Sequence, residues 1–278
     1  MKTMKGLLAF VVIGLIVCIN NVKAVVITPE DYLNLRMLFS EGRVATMTDE
    51  EKEYYLENYD FENIITAQKY YKVVETTNGT TTTEVSELEA TLGAFQINNH
   101  LGNLPAATYH NTLYKHLEIS ASHLYNNAYE VYLYNEWLVT PATKSYDVIG
   151  IRTYDGTVQT DSQIGTQTYW ANGSYSYINY SATGTNIVKE NNGYGISMNL
   201  VDSGSYFALD TTSVVYATSP YSEVYGSYQH AIVNVSLLQS QSYSISHNGY
   251  GGVFNFATEV QDYYDQMGGV NITLPYYS

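Results

Sequence analysis

An antiparallel β-sandwich, or a partly closed barrel, is the fold class this sequence predicts. It is mainly β, with a small N-terminal helical appendage and one short C-terminal helix. Three observations carry the expectation. The stretch Ala128–Tyr154 alternates with period two and is rich in β-branched and aromatic residues, the pattern of a half-buried strand. Short runs of the same kind recur through the C-terminal half between Asn, Asp and Gly turn signals. Tyrosine supplies 30 of the 278 residues while only 14% are charged, so tyrosine serves as the general amphipathic residue, ring inward or at a rim and hydroxyl toward a partner.

At the N-terminus, Lys2 and Lys5 precede an apolar run over residues 7–19 that is short for a membrane span. Val22-Lys23-Ala24 offers small residues at both cleavage-determining positions. The expected division is a signal peptide over 1–24, a small helical and hairpin region over 25–85, and a β-sandwich domain over 86–278. Cys18, the single cysteine, falls within the signal peptide. The mature chain is therefore expected to be held by core burial without disulfides, which suits a secreted protein of a Gram-positive bacterium.

Thr28 as N-cap, Pro29 in the first turn and the acids after it predict a helix with Leu33, Met37 and Leu38 as its apolar stripe, ended by Gly42. Thr48 and Glu51 form a capping box for a second helix through about Glu57. Lys69–Glu75 and Thr80–Val85 flank the turn signal Asn78-Gly79 and read as a hairpin. Leu113 to Ala121 alternates as a strand.

The centre is read as a pair of strands joined around Pro141, which ends the first because it donates no ladder hydrogen bond. Val131, Leu133, Trp137, Ile149 and Ile151 are the expected structural core, with Trp137 as anchor. Glu130, Tyr132, Tyr134 and Glu136 take the opposite, solvated face. Gly165–Trp170 and Ser174–Tyr180 form a hairpin across Asn172-Gly173. Further strands are expected over Tyr194–Val201, at Val214–Tyr216, and over Ala231, Val233, Val235 and Leu237. Tyr243 and Ile245 lead into a His247-Asn248-Gly249 turn, followed by Phe254 and Phe256. A capping box at Thr258 predicts a helix toward Gly268, and Val270, Ile272 and Leu274 close the chain as a strand.

The functional reading is mostly one of exclusion. A net charge of −15 repels nucleic acid and anionic lipid, so no nucleic-acid partner and no stable membrane insertion after signal cleavage are expected. The six histidines show no ligand spacing, His116 and His123 included, and no metal or cofactor is assigned. There is no G-x-S-x-G elbow and no mature thiol, and no catalytic residue is named. Glu130 and Glu136 are the only carboxylates entertained for a secreted glycoside hydrolase, the third choice.

The leading expectation is a non-enzymatic extracellular binding module whose exposed tyrosines take a glycan or a surface protein. Trp170, Tyr175 and Tyr177 are its candidate ligand-binding residues, because two-residue hairpin pairing puts them on one face. Ile164 shares their parity and argues for that face turning inward. The alternative is a structural surface protein that self-associates through strand edges lacking lysine. A membrane-inserting hairpin over 165–181 ranks below both.

Overall fold

The computed structural model describes residues 27–76, 79–99, 112–190 and 192–277. The expected signal peptide and Asn78 of the first turn lie outside them. The fold is mainly antiparallel β, with a larger and a smaller sheet facing each other across one core.

Among the described residues three short helices come first: α1 (Pro29–Arg36), α2 (Glu41–Thr46) and α3 (Asp49–Asn58). Thr28 and Thr48 cap α1 and α3 through reciprocal capping boxes, which satisfy amide groups that the first turn leaves free. Gly42 lies inside α2 and does not end α1. Of the expected stripe Leu38 is buried, whereas Leu33 and Met37 are exposed; Leu35 and Phe39 are buried in their place.

The hairpin β1 (Ile65–Thr76) and β2 (Gly79–Val85) follows, and β1 pairs with β3 (Thr112–Tyr125) from Ile65–Ala121 to Val74–Thr112. Between them α4 (Glu87–Asn98), capped by Ser86, packs on the sheet through Ala90, Ala94 and Ile97. The larger sheet continues through β4 (Ala128–Trp137), β11 (Phe207–Ala217), β7 (Ile164–Ala171) and β8 (Ser174–Ser181), with β6 (Gly156–Val158) also paired to β11. The smaller sheet runs β15 (Val270–Thr273), β12 (Glu223–Gln229), β5 (Tyr146–Tyr154), β10 (Gly193–Asn199) and β9 (Ile187–Glu190).

The central pair is corrected. β4 and β5 belong to different sheets and stack across the core, because the segment from Leu138 to Ser145 crosses from one sheet to the other. Their inward residues are those expected: Val131, Leu133, Trp137, Ile149 and Ile151 all lie in the main core cluster. Trp137 donates its indole N–H to Tyr228 at 2.9 Å from the opposite sheet.

The outer face of β4 is also corrected. Tyr132, Tyr134 and Glu136 are buried, since α1 to α3 lie over them. Leu35, Leu38, Phe39, Val44, Met47, Tyr59 and Tyr132 form a second apolar layer there. A third layer covers the far side of the smaller sheet, where β13 (Tyr243–Tyr250) and β14 (Phe254–Phe256) pack over Val148. That hairpin turns at Gly251 and Gly252, both with positive φ, two residues beyond the expected His-Asn-Gly signal.

Two further expectations fail for identifiable reasons. The alternating run Ala231–Leu237 is not a strand. Its backbone amides are taken by other groups: Ala231 by Asp147 Oδ1 at 3.0 Å, Ile232 by Tyr263 O at 2.8 Å, and Val235 by Ser145 Oγ at 2.8 Å. A Ser236–Gln239 capping box then opens the four-residue helix α5 (Leu237–Ser240). The Thr258 box yields only turns and a single 3₁₀ turn over Gln261–Tyr263, where Tyr264 stacks on Phe256 with centroids 4.3 Å apart. Val214–Tyr216 belongs to the much longer β11, and β12 was not anticipated.

Candidate ligand-binding face

The hairpin β7–β8 sits at one end of the larger sheet, and its register follows directly from the Asn172-Gly173 turn. Both turn residues have positive φ, the geometry of a two-residue hairpin loop. Trp170 lies opposite Tyr175 and Thr168 opposite Tyr177, as expected. On this face the alternation runs Ile164, Thr166, Thr168, Trp170. It points outward: Ile164 is 55% exposed, Trp170 39% and Tyr177 49%. The inward reading suggested by Ile164 is overturned, because Gly165 and Gln167 take the core side instead, with Gly165 against Ile196 and Met198.

Helix α2 lies across the middle of this face. A Cβ built on Gly42 would come within 2.7 Å of both Thr168 Cγ2 and Tyr206 Cε1, so the absence of a side chain lets the helix backbone settle on the sheet. On one side of α2 the aromatic residues gather. Trp170 meets Tyr175 edge-on at 4.9 Å, and Tyr175 meets Tyr206 at 5.4 Å. Tyr206 was not singled out from sequence. It sits in the segment before β11, where no periodicity marks it, and only its hydroxyl contacts reveal its place. The Tyr206 hydroxyl donates to Glu136 Oε1 at 2.8 Å and accepts from the Gly42 amide at 3.2 Å. Tyr177 stands next along β8 on the same face.

On the other side of α2 is a cavity of about 220 Å³ lined by Arg43, Glu51, Ile164, Thr166, Asn179 and Asp210, among others. Arg43 pairs with Glu51 at 2.8 Å. Asp210 receives the Ser40 amide at 3.2 Å and the Ser40 hydroxyl at 3.0 Å. Burial pushes the Asp210 carboxyl up to about 6 against those hydrogen bonds. Burial also pushes the Tyr175 phenol up to about 12, helped by the nearby charges of Glu41 and Glu136. The Glu136 carboxyl is raised by burial, with Arg36 at 3.5 Å and Tyr206 opposing the shift. The face thus combines exposed aromatic surface with a polar recess.

The carboxylates entertained for hydrolysis do not face a cleft. Glu136 is buried, and Glu130 is half-buried and accepts a hydrogen bond from the Tyr59 hydroxyl. His116 is buried as well, stacked on Tyr70 at 4.4 Å and bonded to Gln68 at 2.9 Å; burial lowers its imidazole to about 4. His123 is exposed and bonds the Asn126 carbonyl at 2.7 Å. Among the described residues, no group of three or more His, Cys, Asp and Glu side chains is placed to hold a metal ion. No described helix is long and apolar enough to cross a membrane.

No family model matches the chain, and no curated protein matches it in sequence. Among solved structures, the chain is similar to the collagen-binding domain of the Erysipelothrix rhusiopathiae surface protein RspB, with 10% identity and a TM-score of 0.32 over 59% of this chain and 62% of that one. It is similar to the pilus backbone RrgB of Streptococcus pneumoniae, with 8% identity and a TM-score of 0.26 over 54% and 41%. A third similarity is to TmCBM61, solved with β-1,4-galactotriose, at 10% identity and a TM-score of 0.20 over 58% and 88%. The matched region spans less than two thirds of the length of each of the first two structures.

Proposed function

We propose that this chain is a secreted, non-enzymatic β-sandwich module that takes a glycan, or another surface ligand rich in ring faces and hydroxyls, on the outer face of β7–β8. One observation carries the reading: Trp170, Tyr175 and Tyr177 share an outward face that also holds a polar recess. Exposed aromatic rings offer stacking surface at small conformational cost, while Arg43, Asn179 and Asp210 supply the polar groups that orient a ligand. Export is supported by Lys2 and Lys5 ahead of the apolar run 7–19, and a Gram-positive source by the lack of cysteine beyond Cys18. A glycan array of cell-wall and host polysaccharides, followed by thermal shift with each hit, tests the proposal. Complete absence of hits counts against it.

A second reading, self-association, has its own observation. β8 is the terminal strand of the larger sheet, it carries no charged residue, and Tyr177 and Ile178 are exposed on it. Such an edge can pair with another copy. Sedimentation across a concentration series separates the two readings, since a strict monomer at every concentration removes the second.

A further inference from the structure

A lysine is sealed in the middle of the sandwich. Lys115 enters from β3, and its Nζ contacts Asp265 Oδ2 with neither side chain exposed to solvent. The ammonium lies 4.8 Å from the ring centroid of Trp137 and 5.0 Å from that of Tyr228. Asp265 is fixed independently of the lysine. Its Oδ1 accepts the His230 backbone amide at 3.0 Å, its own amide donates to His230 O at 3.1 Å, and its carbonyl accepts from Thr82 Oγ1 at 2.6 Å. Beside it Asp147 accepts from the Tyr228 hydroxyl and from the Ala231 amide at 3.0 Å, and it lies 2.9 Å from His230 Nδ1.

Burying a lone ion pair is costly because both charges lose their hydration, and this one sits where apolar residues of similar size would pack without that cost. The same arrangement meets the requirements of an acyl transfer. A nucleophilic nitrogen touches the carboxyl group, a backbone N–H is aimed at the other carboxyl oxygen, and the aromatic walls keep water out. The geometry points to a covalent product: Lys115 and Asp265 condense into an intramolecular amide that ties β3 to the segment entering β15, closing a separation of 150 residues.

The reaction needs no co-reactant. One proton passes from Nζ to Oδ2, leaving an amine beside a carboxylic acid. The Nζ lone pair attacks Cγ, and the negative charge that develops on Oδ1 faces the His230 N–H. A second proton moves from Nζ to Oδ2, the Cγ–Oδ2 bond breaks, and Oδ2 leaves as water while Oδ1 becomes the amide oxygen. Nothing is oxidised or reduced. The bond would serve a chain whose only cysteine is Cys18 as a disulfide serves others, by restricting the unfolded chain.

Intact-mass spectrometry of the purified full chain under denaturing conditions tests this. The expected mass is one water below that calculated for its own N-terminus, and digestion should yield a branched peptide joining the segments around Lys115 and Asp265. Lys115→Arg keeps the charge and cannot form the amide, so it should show its full mass and melt at a lower temperature. Because mass is read on denatured chains, a poorly folded variant still gives an answer, as does Lys115→Met. Wild-type protein that is folded by circular dichroism yet carries its full mass overturns the proposal. So does a lost water that maps to any other pair of residues.

Discussion

Tyr132 stands edge-on to Phe39, with ring centroids 4.9 Å apart and planes at 79°. The contact joins the outer face of β4 to the turn between α1 and α2, within the helical layer that covers it. Period two alone gives Tyr132 a solvated setting and makes its truncation cheap. The structure gives it 1% exposure within an apolar cluster. Tyr132→Ala is therefore expected to cost about 3 kcal/mol, close to the ~3–5 kcal/mol of Trp137→Ala on the inner face. Urea melts of both variants check this. A Tyr132→Ala melt like wild type would show that the helices do not roof the sheet.

Gly42 supplies a second prediction. Gly42→Ala places a methyl group 2.7 Å from Thr168 Cγ2 and Tyr206 Cε1, so helix α2 must lift or those side chains must turn. A loss of about 1–3 kcal/mol is expected from overpacking of this kind, together with a weakened Tyr175–Tyr206 contact. Thermal melts and near-ultraviolet circular dichroism measure the two effects. Unchanged melting would mean that the helix does not seat on β7.

Asp210 gives the fold a pH dependence of known sign. Burial raises its carboxyl to about 6, so the folded chain holds this proton more tightly than the unfolded chain does. The stability it contributes is complete below the ordinary aspartate range and is lost as pH rises through about 6. A displacement of this size is worth roughly 3 kcal/mol. Asp210→Asn should be more stable than wild type at pH 8, and the gap should shrink or reverse at pH 4. Chemical denaturation at the two pH values checks this, and a gap independent of pH would contradict it.

Much of the fold was legible because turns and alternation act locally. The Asn172-Gly173 signal set the Trp170–Tyr175 register correctly, and the capping boxes at Thr28 and Thr48 placed two helices. What covers each face was not legible. Alternation says which residues share a side of β4, but Tyr132 and Glu136 are buried by helices about 90 residues earlier in the chain, which no local pattern reveals. The run Ala231–Leu237 shows the converse failure. Its alternation is real, yet Asp147 and Ser145 claim the amides that a ladder would use. The candidate face was half legible: Trp170, Tyr175 and Tyr177 could be named, while Tyr206 and the recess at Asp210 depend on contacts between distant segments.

The binding face itself is tested most directly by titrating the best glycan-array hit into wild type, Trp170→Ala and Tyr177→Ala. Both side chains are substantially exposed, so neither truncation should move the melting temperature by more than a small amount. A stacking contact contributes about 0.5–1.5 kcal/mol beyond area burial, so each variant should bind up to about tenfold more weakly. Affinity equal to wild type in both variants, with their folds intact, would contradict the placement of the ligand on β7–β8.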